Sequence, residues 1–249
     1  MPKINMQWPL RFVYSKPVLA YKNFLIVSDV HAGVESRFRK EGMFLGGKLS
    51  AQLLKELVAL KKEGKQFDTL IILGDAKDDI YEVSEEVAEF YQELSKHFEI
   101  WIVKGNHDGN IETLAEINNK VKVFGAGGIV LDGKIGLAHG HCWVDEKLML
   151  CDWLVLGHTH YLHTLKKSTA SITSGAVWLT AGIDRKMALG RYKKVNKKLR
   201  MIMMPAFNEV LHSSKFSENI FLKNNIFKHA SVKIYTLNGI ALGKLINYI

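Results

Sequence analysis

The stretch Asn23-Phe24-Leu25-Ile26-Val27-Ser28-Asp29-Val30-His31 joins a short apolar run to a carboxylate and an imidazole. A run of large and β-branched residues this short, closed by polar residues, reads as a buried strand. The arrangement recurs twice. TLIIL at residues 69–73 runs into Gly74-Asp75-Ala76-Lys77-Asp78, and IWIV at residues 100–103 is followed by Gly105-Asn106-His107-Asp108. Helical patterns lie between these runs. In KLSAQLLKELVALKK at residues 48–62, Leu49, Leu53, Leu57 and Leu60 share one face. Over residues 84–97, Val87, Phe90, Tyr91 and Leu94 do the same, with Ser84 suited to the N-cap, Glu85 and Glu86 to the first turn and Lys96 to the last.

Strand-helix-strand alternation predicts a layered α/β fold. The later chain changes character: residues 154–156, 176–180 and 199–204 read as strands without long helices between them. The expectation is one domain over residues 1–249, with a mixed sheet and helices packed outside it. At 47% hydrophobic and 24% charged, the composition is that of a globular protein long enough to bury a full core. No run of 18 apolar residues is present, so no membrane span is expected. The opening MPKINMQWPLRFVYSKP has no apolar segment of the secretory type. Cys142 and Cys151 cannot build a disulfide framework and match no zinc-ribbon spacing, so they read as reduced thiols of a cytoplasmic protein.

The net charge of +9 is uneven. Residues 1–160 hold 19 Lys+Arg against 22 Asp+Glu, whereas residues 161–249 hold 15 against 3. Eight cations and no acid fall within residues 185–200, which are expected to form a hairpin around Val195-Asn196-Lys197-Lys198. Such a segment either guides a polyanion or is a solvated face.

Chemistry collects at the carboxyl ends of the predicted strands, where α/β sheets place their ligand sites. Besides the three clusters above, His139-Gly140-His141 and Gly157-His158-Thr159-His160 follow, so six of the ten histidines lie in motifs. Imidazole suits Zn, Fe, Mn or Ni, and carboxylate or amide oxygen suits harder ions such as Mn or Mg. A carboxylate can bridge two ions, and an ion pair roughly 3.5–4 Å apart can clamp a phosphate and activate water for in-line attack.

In this order, DxH, GDxxD, GNHD, HGH and GHTH resemble the motifs of the calcineurin-like metallophosphoesterases, over residues 29–160. The resemblance implies an α/β sandwich of two packed mixed β-sheets flanked by helices. It implies two divalent ions, Mn²⁺ foremost with Fe, Zn, Ni or Mg as alternatives. It assigns Asp29, His31 and His160 to the first ion, Asp75 to the bridge, and Asn106, His139 and His158 to the second. His107 would contact the scissile phosphate and protonate the leaving oxygen, with Asp108 holding its tautomer. Asp78 reads as a loop support, and His141 either touches substrate or bonds the neighbouring loop.

Within the superfamily, SDVHAGVESRFRKEG and Met204-Pro205-Ala206-Phe207-Asn208 resemble the ICC-like, DNA-ligase-associated group. That likeness implies a phosphodiesterase acting on DNA, a single-strand exonuclease of repair or processing. Single-stranded DNA would be its partner, alongside a repair protein such as a helicase or ligase, with no membrane. Lys193, Lys194, Lys197 and Lys198 would meet the nucleic acid. A small phosphoester or cyclic nucleotide is the competing substrate, and a scaffold without catalysis is a third reading that the intact Asn106 and His107 oppose.

Overall fold

A computed structural model describes residues 10–43, 49–168, 171–211, 226 and 231–244, with side chains 163–174 outside the description. Two mixed sheets form. The first runs in the order β1 (Arg11–Phe12), β2 (Leu19–Tyr21), β3 (Phe24–Val27), β4 (Thr69–Leu73), β5 (Glu99–Val103) and β6 (Val121–Phe124), parallel from β3 to β6. The second runs β14 (Ala241–Lys244), β13 (Lys233–Thr236), β11 (Ser171–Gly182), β12 (Arg200–Met203), β9 (Trp153–Leu156), β8 (Ile135–Ala138) and β7 (Ile129–Leu131), with β10 (Leu162–Ser168) beside β11. In this sheet only the pairs of β9 with β8 and with β12 are parallel.

The sheets bury one core between them. Ile26, Ile71 and Val103 of the first meet Leu137, Val155, Trp178 and Ile202 of the second. Trp178 is fully buried, edge-on to Phe12 with centroids 4.5 Å apart. Helix α1 (Val34–Lys40) follows β3 and α4 (Glu112–Ile117) follows β5, and the outer face of the first sheet is covered by α2 (Leu49–Ala59) and α3 (Glu85–Leu94), whose Leu53, Leu57, Val87, Phe90, Tyr91 and Leu94 pack on Leu25, Val27, Leu70 and Ile72. Strands β3 and β4 are thus covered on both faces, which explains their unbroken apolar runs. Ser84 caps α3 through a bond from the Val87 amide, whereas Lys96 falls beyond the helix end at Leu94.

Residues 185–200 depart from the expected hairpin. They form α5 (Arg185–Leu189), capped by Asp184, and then a loop that enters β12. The reason is tertiary. The Asn196 side-chain amide donates to the carbonyls of Leu150 and Cys151 and to the Asp152 carboxylate, and Lys193 N donates to Glu146. The segment is thereby pinned to the 3₁₀ turn at Glu146–Leu150 rather than to itself. Lys193, Lys194, Lys197 and Lys198 remain exposed.

Beyond β12 the chain crosses to the first sheet. Phe207 N donates to Ser28 O at 2.7 Å, Asn208 N to Asp29 O at 3.3 Å, and the Asn208 side chain to Val30 O at 3.0 Å. The segment Met204-Pro205-Ala206-Phe207-Asn208 therefore braces the turn that carries Asp29 and His31.

Candidate metal centre

Five strands end at one place. β3 delivers Asp29 and His31, β4 Asp75, β5 Asn106 and His107, β8 His139, and β9 His158 and His160. The turns interlock through main-chain bonds: Asp29 N to Gly74 O, His31 N to Asp75 O, and Gly157 N to His139 O at 2.9 Å. Asp29, His31, Asp75, His158 and His160 all lie at positive φ, between 43° and 73°. For residues other than glycine this costs on the order of 1 kcal/mol each, and such strain gathers at functional sites.

Close approach explains the glycines. A Cβ on Gly74, whose φ is +73°, would lie 2.3 Å from the His139 ring. Gly74→Ala should push that imidazole aside and lower the metal content measured by elemental analysis. It should also cut the melting temperature by at least ~2–4 °C, the equivalent of about 1 kcal/mol in a chain of this size. A variant with wild-type metal content and melting would refute the steric reading.

Two ligand-rich groups share one carboxylate. Asp29, His31, Asp75 and His160 place one ligand atom each within 4.8 Å of one another, and Asp75, His139 and His158 do the same. Asp75 Oδ2 lies 3.5 Å from His31 Nε2 and 3.3 Å from His139 Nε2. Asp29 Oδ1 is 2.9 Å from His160 Nε2, and Oδ2 accepts from Ser28 and from the His158 amide. Asn106 joins the second group through Oδ1, 3.2 Å from His139 Nε2. Every ligand expected from sequence is thus gathered here.

Divalent cations fit this donor set. His139 Nδ1 donates to Leu73 O at 2.8 Å, which leaves Nε2 facing Asn106 Oδ1, Asp75 Oδ2 and His158 Nδ1 at 3.1–3.3 Å. Acceptors outnumber protons there, and a cation reconciles them. His31 behaves alike: Nδ1 donates to Asp78 at 2.9 Å, and buried Nε2 has no hydrogen-bond partner. A ring nitrogen fixed by a carbonyl or carboxylate while the other faces the centre is the usual posture of a metal-binding histidine.

The electrostatics of the cluster make the same demand for positive charge. Burial opposes protonation of His31 and His139, yet the nearby Asp75 carboxylate, with Asp78 and Asp29, holds both at about 9. Burial likewise works against ionisation of Asp29 and Asp75. The charge of His160 nevertheless lowers Asp29 to about 2, and the adjacent His139 and His31 imidazoles hold Asp75 well below the ordinary carboxylate range. Burial and the neighbouring His139 cation bring His158 down to about 4.

The family model for calcineurin-like phosphoesterases matches residues 22–167. The chain belongs to the calcineurin-like phosphoesterase family. No curated protein is a significant match. Among solved structures, the phosphoesterase Yfce from E. coli is 13% identical over 88% of this chain and 96% of its own, with a TM-score of 0.39. A predicted phosphoesterase from Streptococcus pneumoniae is 13% identical over 88% and 91%, with a TM-score of 0.34. A protein of unknown function from Aquifex aeolicus is 24% identical over 54% and 77%, with a TM-score of 0.37. As a calcineurin-like phosphoesterase, the protein is a metal-dependent hydrolase whose His/Asp cluster can bind metal ions.

In this calcineurin-like phosphoesterase the supports of the site differ from expectation at Asp108 and Asp78. Asp108 does not touch the His107 ring. It is buried, accepts from the amides of Ala76, Lys77 and Gly105, and so shapes the turns beneath the ligands; burial raises its pKa. The His107 tautomer is set instead by the Asp78 carbonyl, 2.6 Å from Nδ1. Asp78 is more than a loop support: its carboxylate joins His31 at 2.9 Å to Arg37 Nε at 2.9 Å. Trp143 is 37% exposed beneath the Arg191 guanidinium, 4.3 Å from its centroid. His141 is half-buried, its ring 5.2 Å from His139 and its Nδ1 without a hydrogen-bond partner. Sequence reading gave no site role to Ser28, Lys77 or Asn208. Ser28 and Arg37 lay within SDVHAGVESRFRKEG and Asn208 within the segment after β12, the stretches that carried the likeness to the ICC-like group. His212 and His229 lie outside the described residues, as does the His163 side chain.

Proposed function

We propose that the protein is a two-metal phosphodiesterase that cleaves nucleic acid, a single-strand DNA exonuclease of repair or processing, loaded with Mn²⁺. Asp29, His31 and His160 would hold one ion, Asp75 both, and Asn106, His139 and His158 the other. Bound divalent ions would supply charge neutralisation at the phosphoryl oxygens and an activated water. The chain's own contribution is placement: His107 stands beside His31, ring centroids 4.8 Å apart, with Nδ1 committed to the Asp78 carbonyl. A proton added to that ring goes to Nε2, from which it can pass to the leaving oxygen. The mixture of imidazole with carboxylate and amide oxygens favours Mn²⁺. A helicase or ligase of the same process is the proposed protein partner.

The observation that carries the nucleic-acid reading is the seating of the basic segment. Arg191 stacks on Trp143 in the loop that begins with His139 and His141, and Tyr192 OH donates to Val144 O at 3.2 Å. The exposed Lys193 and Lys194 follow directly, so cationic surface continues from the metal loop. Single strands should bind with log affinity falling against log salt at about −0.7 per phosphate contact. Changing Lys193, Lys194, Lys197 and Lys198 to Glu should flatten that slope and abolish DNA cleavage in Mn²⁺, while hydrolysis of a small chromogenic diester survives. If DNA is not cleaved, or the quadruple variant cleaves it normally at physiological salt, a small phosphoester or cyclic nucleotide is the substrate.

A further inference from the structure

Among the described residues, Lys77 is the only buried lysine. Burying an ammonium is unfavourable unless its donors are taken up. Here the partners are two main-chain carbonyls, those of Asp79 and of His107, the latter at 2.9 Å. The side chain thus reaches from the turn after β4 to the turn after β5. His107 is gripped at three points. Its amide donates to Asp75 Oδ1 at 2.9 Å, its ring Nδ1 to Asp78 O at 2.6 Å, and its carbonyl accepts from Lys77. The first two fix the amide and the ring. The N–H of the next peptide is held by Gly105 O, 3.4 Å from Asp108 N, and among the described residues Lys77 is the donor to the His107 carbonyl, so without it that carbonyl is left unpartnered and can tilt, carrying the imidazole with it.

We propose that Lys77 is a positioning residue, which fixes His107 relative to the carboxylate of Asp75 so that its proton meets the leaving oxygen. The proposal rests on the reading of His107 as the proton donor. A misplacement of about 1 Å is enough to cost roughly 10²-fold when geometry governs the step. The cost falls on leaving groups that need the proton, since a weakly basic phenolate departs unaided. A lysine that served stability alone would change all substrates alike.

The test is a series of aryl phosphoesters whose phenols rise in basicity, hydrolysed by the metal-loaded wild type, Lys77→Met, Lys77→Gln and His107→Ala. For Lys77→Met, kcat should fall roughly 10- to 100-fold with the most basic phenol and by less than about threefold with 4-nitrophenol. KM and metal content should stay near the wild-type values. Lys77→Gln, which retains a donor, should recover part of the loss and serves as the deciding variant if the methionine protein does not fold. A uniform loss across the series, or none, in a Lys77 variant whose His107→Ala counterpart shows the leaving-group dependence overturns the Lys77 proposal alone. If His107→Ala itself shows no such dependence, the proton-donor reading falls, and the positioning role falls with it.

Discussion

Asp75→Asn should abolish phosphoester hydrolysis and strip the protein of metal. The substitution keeps the volume and leaves an oxygen for the His107 amide, so the turn should fold as before. What it removes is the negative charge that both ligand groups share, since Oδ2 lies within 3.5 Å of His31 Nε2 and of His139 Nε2. Losing a ligand common to two ions weakens both at once, at a cost of several kcal/mol of transition-state stabilisation, or on the order of 10³-fold or more in rate. Elemental analysis beside hydrolysis of bis(4-nitrophenyl) phosphate measures both effects. Full metal occupancy with unchanged turnover would remove Asp75 from the bridge.

His107→Ala separates chemistry from metal binding. The ring lies outside the two ligand groups that share Asp75; it meets His31 and Asp78 in a third, but its Nδ1 is taken by the Asp78 carbonyl, and its main-chain amide still donates to Asp75 after truncation. Metal content should therefore be retained while turnover drops by roughly 10²–10⁴, the usual span of a general-acid contribution. Poor leaving groups should suffer most. A His107→Ala protein that hydrolyses an alkyl ester at the wild-type rate would exclude the imidazole from proton transfer.

Strands β3, β4, β5 and β9 were legible because each is a largely buried apolar run that stops at a turn of glycine with polar residues, whereas the parallel β6 and β8 were not read. Residues 69–73, 100–103 and 154–156 all emerged as strands, and the ligands sit in the turns that follow. Edge elements such as β1 and β7 carried no such pattern, being two and three residues long and stabilised by their neighbours. The supports of the site were less legible still. Nothing local distinguishes Lys77 from a solvated lysine, because its burial depends on carbonyls donated by two separate turns. Asp108 misled for a similar reason: adjacency to His107 suggested a bond to the ring, whereas the backbone aims its carboxylate at three amides. The hairpin expected in residues 185–200 failed at Asn196, whose partners lie 44 to 46 residues upstream.

The brace from Asn208 bears on how the protein is made. All the expected ligands are contained in residues 29–160, so a nascent chain displays them long before synthesis ends. Yet the turn that presents Asp29 and His31 is closed by a side chain 178 residues beyond the carbonyl it holds. Contacts of such separation form late, after the cost of closing the intervening loop has been met. A ribosome-bound chain halted before Asn208 would own every expected ligand while the turn that carries Asp29 and His31 still lacked this brace.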